Sequence, residues 1–160
     1  MADPVRLLLV DDHAVVREGL RAFLRLVPGL SVVGEAGDGL SAVRVAAEVR
    51  PDVVLLDLVM PGGDGIACLR ALRSAVPAAR VLVLTSFTDD AQIFAAMEAG
   101  AAGYLLKDVE PDALVAAVRE VAAGNPVLHP EVARRLMRGP SVAEAAFGEL
   151  TGRERDVLLL

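Results

Sequence analysis

The sequence predicts an α/β fold: a doubly wound, five-stranded parallel sheet with helices on both faces and a helical C-terminal extension. Three observations point there. Short, continuous runs of leucine and β-branched residues, RLLLVDD (6–12), DVVLLD (52–57), RVLVLTS (80–86) and GYLLK (103–107), read as strands buried on both faces. Helical patterns separate these runs all along the chain, and that alternation argues for parallel strands joined by crossover helices. Each run ends on a polar residue, and open parallel sheets bind ligands beyond the carboxyl ends of their strands.

Taken in order, a strand over residues 5–10 leads into a helix over 13–27, which Pro28 and Gly29 stop. A strand over 31–36 precedes a helix over 39–49, and Pro51 sets off the third strand, 53–57. Pro61, Gly62 and Gly63 make a loop before a helix over 64–76. The fourth strand, 80–84, is followed by a helix over 89–99 that Gly100 ends, and the fifth, 102–106, by a helix over 111–123. After Gly124, Asn125 and Pro126 the alternation stops. Residues 129–138 (HPEVARRLMR) form a short helix with Pro130 in its first turn. Gly139 and Pro140 break it, and the small-residue stretch 141–148 reads as a linker. Thr151 and Glu154 then have capping-box spacing ahead of an apolar end, residues 157–160, so a new helix is expected to begin there. Its apolar end lacks a partner, as in a domain cut short. The expected organisation is one domain over 1–123, a linker with a short helix over 124–149, and the start of a second domain over 150–160.

Composition narrows the function. A chain of 160 residues, 54% hydrophobic and 24% charged, can bury one good core. No apolar run approaches the roughly 20 residues that cross a bilayer. The N-terminus (MADPVR) enters a strand without a signal peptide, so a cytoplasmic location and no membrane partner are expected. The single cysteine, Cys68, excludes an internal disulfide and a cysteine metal cluster and is expected in the core. The net charge of −6 is uneven: residues 1–123 hold 11 basic and 17 acidic side chains, residues 124–160 five of each. The acidic part repels nucleic-acid phosphates.

Of the sixteen basic side chains, fifteen are arginine, and the one lysine, Lys107, closes the last strand. An ammonium is a compact point charge and a guanidinium a planar fork, so this position calls for the former. Asp11 and Asp12 end the first strand and Asp57 the third, and neighbouring strands would bring these carboxylates together. Their repulsion calls for a hard divalent cation, and a few carboxylates plus waters and a phosphate suit Mg²⁺. With the cation present, a carboxylate can act as nucleophile. Thr85 and Lys107, on the next two strand ends, could then donate to a transferring phosphoryl group.

LLLVDDH, VVLLDLVMPGGDG, VLVLTS and AAGYLLKD resemble the receiver domains of two-component response regulators, with the motifs in order over residues 5–123. The resemblance implies a flavodoxin-like sheet of order 2-1-3-4-5. It implies that Asp57 accepts a phosphoryl group from a sensor histidine kinase, and that Asp11, Asp12, Asp57 and the backbone carbonyl of Val59 hold Mg²⁺. It further implies that Thr85 is the switch hydroxyl, Lys107 the phosphate-binding lysine and Tyr104 an aromatic switch. Alternation along the strand sets Tyr104 on the face opposite Lys107. Such a protein is a phosphoacceptor rather than an enzyme. Val59 and Phe87, each two residues past a site residue, are expected to shield the acyl phosphate. LTGRERDVLLL (150–160) resembles the opening helix of the helix-turn-helix output domain of the NarL/FixJ (LuxR-type) branch. The turn and recognition helix are absent, so DNA binding is expected only through the missing part. Many members of this branch dimerise, so a homodimer is among the expected assemblies. Competing readings are a phosphorylation-independent interaction module and an aspartate-nucleophile phosphohydrolase. The latter is disfavoured because its second aspartate should stand where His13 is. A dinucleotide-binding domain is disfavoured by the lack of a glycine-rich turn after the first strand.

Overall fold

A computed structural model describes residues 3–60, 63–86 and 89–138. Its elements run β1 (Val5–Val10), α1 (Ala14–Arg25), β2 (Leu30–Ala36), α2 (Gly39–Val49), β3 (Val53–Leu56), β4 (Val59–Met60) and β5 (Gly63–Asp64). They continue with α3 (Gly65–Ala75), β6 (Arg80–Thr85), α4 (Asp90–Glu98), β7 (Gly103–Leu106), α5 (Pro111–Ala122), β8 (Val127–Leu128) and α6 (Pro130–Arg138). The main sheet is parallel throughout, in the order β2-β1-β3-β6-β7-β8. Its first five strands are those read from the sequence, in the expected order. β4 and β5 form a separate antiparallel pair just beyond β3.

Strand alternation divides the core into two layers. Leu8, Val10, Val54, Leu56, Val81, Val83 and Tyr104 face α2, α3 and α4. Leu7, Leu9, Val53, Leu55, Leu82 and Leu105 face α1 and α5. Because both faces are covered, the strands carry apolar residues at every position rather than at every second one. Local chemistry fixes the helix starts: the Asp38 carboxylate accepts from Ser41 N–H at 2.8 Å and that of Asp89 from Ala91 N–H at 2.9 Å. Each such cap is worth about 1 kcal/mol. Gly65 lets α3 begin against the backbone that joins β3 to β4, since a Cβ there would lie 2.1 Å from the Leu58 carbonyl oxygen.

Among the described residues the main sheet has six strands rather than five. Val127 and Leu128 pair with Gly103 and Tyr104, and His129 N–H donates to the Tyr104 carbonyl at 2.9 Å. Two residues are too few to show a period, and the approach depends on Gly103, where a Cβ would lie 2.8 Å from the Val127 carbonyl oxygen. The segment expected as linker therefore contains a strand and a docked helix. Val132 of α6 is fully buried in the cluster that holds Ile93, Ala96 and Tyr104, and Arg135 Nη1 pairs with Asp90 of α4 at 3.0 Å. The linker expected over 141–148 and the helix expected from Thr151 lie outside the described residues. Among the described residues no helix is long and apolar enough to cross a membrane.

Candidate functional site

β1 and β3 are hydrogen-bonded neighbours that end level, Val10 beside Leu56. Asp57 N–H donates to the Val10 carbonyl at 2.9 Å and Asp11 N–H to the Ala36 carbonyl at 3.1 Å, so the acidic residues leave the sheet side by side. Asp11 and Asp57 are buried and Asp12 half-buried. On the other side of β3, β6 ends at the fully buried Thr85, whose carbonyl accepts from Lys107 N–H at 3.0 Å. From there Lys107 reaches back across the strand ends, its Nζ 2.7 Å from Asp11 Oδ2 and 2.9 Å from Asp57 Oδ2. One ammonium thus bridges two carboxylates carried by different strands.

Burial alone would disfavour the charged form of Asp11. The hydrogen bonds from Lys107 and from the His13 N–H outweigh it and hold the carboxyl below its ordinary range. Burial likewise works against the Lys107 ammonium, but its bonds to Asp11 and Asp57 raise its pKa above the usual value. Asp12 is less well served. Its Oδ1 is shielded from solvent without a hydrogen-bond partner among the described residues, although the His13 ring Nδ1 lies 3.2 Å away. Three carboxylates and one ammonium leave a net negative pocket with an unsatisfied oxygen, which a hard cation would correct. Asp11, Asp12, His13 and Asp57 each place a potential ligand atom within 4.8 Å of the others. The residues fit a divalent cation.

Two of the remaining residues named from the sequence, Val59 and Tyr104, lie near this pocket. Val59 N–H donates to Asp57 Oδ1 at 3.1 Å while its side chain is exposed. Tyr104 is fully buried in the layer under α2, α3 and α4, the layer that also takes the odd-numbered residues of β6. Its register partner, Val83, stands two residues before Thr85, so both side chains leave adjacent strands toward the same face. Burial, and then the charges of Asp89 and Asp57, push the Tyr104 phenol well above its ordinary range. Phe87 lies outside the described residues. The sequence reading missed His13, which sits at the N-cap of α1 and turns its ring toward Asp11, and Arg17, whose Nη1 donates to the Asp11 carbonyl. His13 is marked in the sequence by following the acidic pair directly, whereas Arg17 owes its place to a backbone carbonyl that no sequence pattern marks.

This arrangement can hold a cation, offer a carboxylate to an electrophile, and neutralise an arriving anion with an ammonium. Comparison with known proteins places the chain in a family. The response regulator receiver domain model matches residues 7–119. The transcriptional regulatory protein LiaR of Bacillus subtilis is 41% identical over 98% of this chain and 75% of its own length. The nitrate/nitrite response regulator NarL of Escherichia coli is 38% identical over 99% and 75%. Among solved structures, a LuxR-family two-component response regulator from Aurantimonas superposes with a TM-score of 0.80 at 40% identity, covering 85% of this chain and 97% of that one. A domain match over most of the sequence and relatives of this identity along nearly all of it lead to one conclusion: the chain belongs to the response regulator receiver family, among regulators of the NarL and LuxR type.

Proposed function

We propose that the chain is a phosphorylation-operated switch in which Asp57 takes a phosphoryl group from a phosphohistidine on a sensor histidine kinase. The observation that carries this reading is the Lys107 ammonium, bonded at once to Asp11 and Asp57 on the two neighbouring strands. In the transfer an Asp57 oxygen bonds to phosphorus as the P–N bond breaks, and the electron pair leaves with the imidazole. Lys107 then exchanges a carboxylate partner for a phosphoryl oxygen without leaving its place. Asp11, Asp12, Asp57 and the Val59 carbonyl would hold Mg²⁺, which when bound neutralises charge on the transferring oxygens. The Thr85 hydroxyl donates to the phosphoryl group, and Tyr104, packed toward the same face, transmits that shift to α4. The chain passes through a slow cycle of phosphorylation and hydrolysis rather than turning over a substrate. It acts in the cytoplasm. DNA is engaged through a C-terminal output domain that residues 150–160 would open, and the matched relatives, longer than this chain by about a third and named as transcription regulators, support that assignment. Phosphorylation would tune self-association.

Incubation with Mg²⁺ and acetyl phosphate tests this. Intact mass should rise by one phosphoryl group in the wild-type chain and not in Asp57→Asn, with both folded by circular dichroism. No gain in the folded wild-type chain would move the assignment to a phosphorylation-independent interaction module.

A further inference from the structure

The strand ladder that holds the acidic pair runs out at Asp11. Its N–H is still paired to Ala36 of β2, but its carbonyl points beyond the last rung of the sheet, at a buried position. A buried carbonyl left unpaired is costly. Here the donor comes from α1: Arg17 Nη1 bonds the Asp11 carbonyl, and Arg17 Nε bonds Glu35 Oε1 on β2 at 3.2 Å. Glu35 also takes Arg21 Nη1 from the next turn of the helix. The guanidinium enters over Gly37, where a Cβ would lie 3.3 Å from Arg17 Nη1, so a side chain at that position would crowd it.

The carbonyl of Asp11 belongs to the peptide that joins Asp11 to Asp12. Fixing that plane fixes the directions in which both carboxylates leave the backbone. We propose that Arg17, itself held by Glu35, is a positioning residue for the cation site: it orients the Asp11–Asp12 peptide so that both carboxylates are aimed at the cation. This rests on reading the pocket as a cation site. Arginine is required because the two bonds need two donors at a fixed angle on one planar group, which an ammonium cannot offer at that separation. Arg21 bonds the other carboxylate oxygen of Glu35, and among the described residues it makes no hydrogen bond to the acidic pair.

The brace differs from an ordinary surface ion pair in what it predicts. A fastening between α1 and β2 would change stability alone, whereas residues that orient metal ligands change affinity by about 10- to 100-fold when lost. Mn²⁺ binding, followed by the electron paramagnetic resonance of the free ion, should weaken about tenfold or more in Arg17→Ala. Arg17→Lys should not restore it, Glu35→Gln should weaken it to a smaller degree, and Arg21→Ala should leave it within about twofold of wild type. Melting temperatures are recorded on the same samples. Wild-type affinity in folded Arg17→Ala or Arg17→Lys overturns the brace alone. A wild-type chain that takes up no Mn²⁺ overturns the reading of the pocket, and the brace with it. Should Arg17→Ala not fold, Arg17→Lys and Glu35→Gln decide, since both keep α1 packed.

Discussion

Lys107 is the residue on which the pocket turns, because its Nζ satisfies two carboxylates at 2.7 and 2.9 Å from one point. Arginine at this position keeps the charge but moves it outward and spreads it over a plane, so it cannot occupy the point between Asp11 and Asp57. Lys107→Arg should therefore slow phosphoryl uptake from acetyl phosphate by about tenfold or more, while charge and fold are retained. An unchanged initial rate of mass gain would show that charge alone suffices. Cys68 presents the opposite case, a reactive group that the fold disarms. Burial first, and then the nearby Asp38 charge, raise its thiol to about 11, and it packs in the core beside Leu69. Only the thiolate reacts, so disulfide-exchange reagents at pH 8 should label the native chain far more slowly than the unfolded one. Equal labelling rates would mean that α3 opens readily.

At the scale of elements, the segment after α5 matters most. β8 and α6 extend the sheet and the core, with Val132 fully buried and Arg135 paired to Asp90 at the start of α4. If this docking is part of the cooperative fold, Val132→Ala should lower stability by about 2 kcal/mol, read from the urea midpoint with an unchanged slope. A variant that unfolds like wild type would mean that α6 detaches before the domain melts. The same segment shows where a sequence is readable and where it is not. β1, β3, β6 and β7 are legible because strands buried on both faces need unbroken apolar runs, and a polar residue then marks each end. β8 is not, because two residues carry no period and its place depends on Gly103, whose lack of a side chain says nothing of what approaches it. Within the pocket, Asp11, Asp12, Asp57 and Lys107 are legible by residue type at strand ends. Arg17 is not, since its role comes from a carbonyl that only the three-dimensional arrangement leaves unpaired.

For the molecule as a whole, the pocket is a store of electrostatic repulsion placed at the rim of an otherwise apolar sheet. Asp11 and Asp57 share the ammonium, but Asp12 adds a third negative charge whose Oδ1 lacks a hydrogen-bond partner among the described residues. Repulsion of this kind lowers stability throughout the domain, because β1 and β3 are interior strands of the sheet and cannot separate without unfolding it. Two linked results are expected. In a chelator, Asp12→Asn should be more stable than wild type by about 1 kcal/mol, since the amide removes the charge and can donate to a neighbouring carboxylate. With Mg²⁺ the order should reverse. Wild type gains RT ln(1 + [L]/Kd), which is about 2.7 kcal/mol at a hundredfold excess over Kd, while the variant, deprived of a ligand, gains much less. Thermal melts of both proteins with chelator and with excess Mg²⁺ give all four values. A variant less stable than wild type even in chelator would show that Asp12 is satisfied without a cation, and the account of the pocket as a site under strain until a cation arrives would fail.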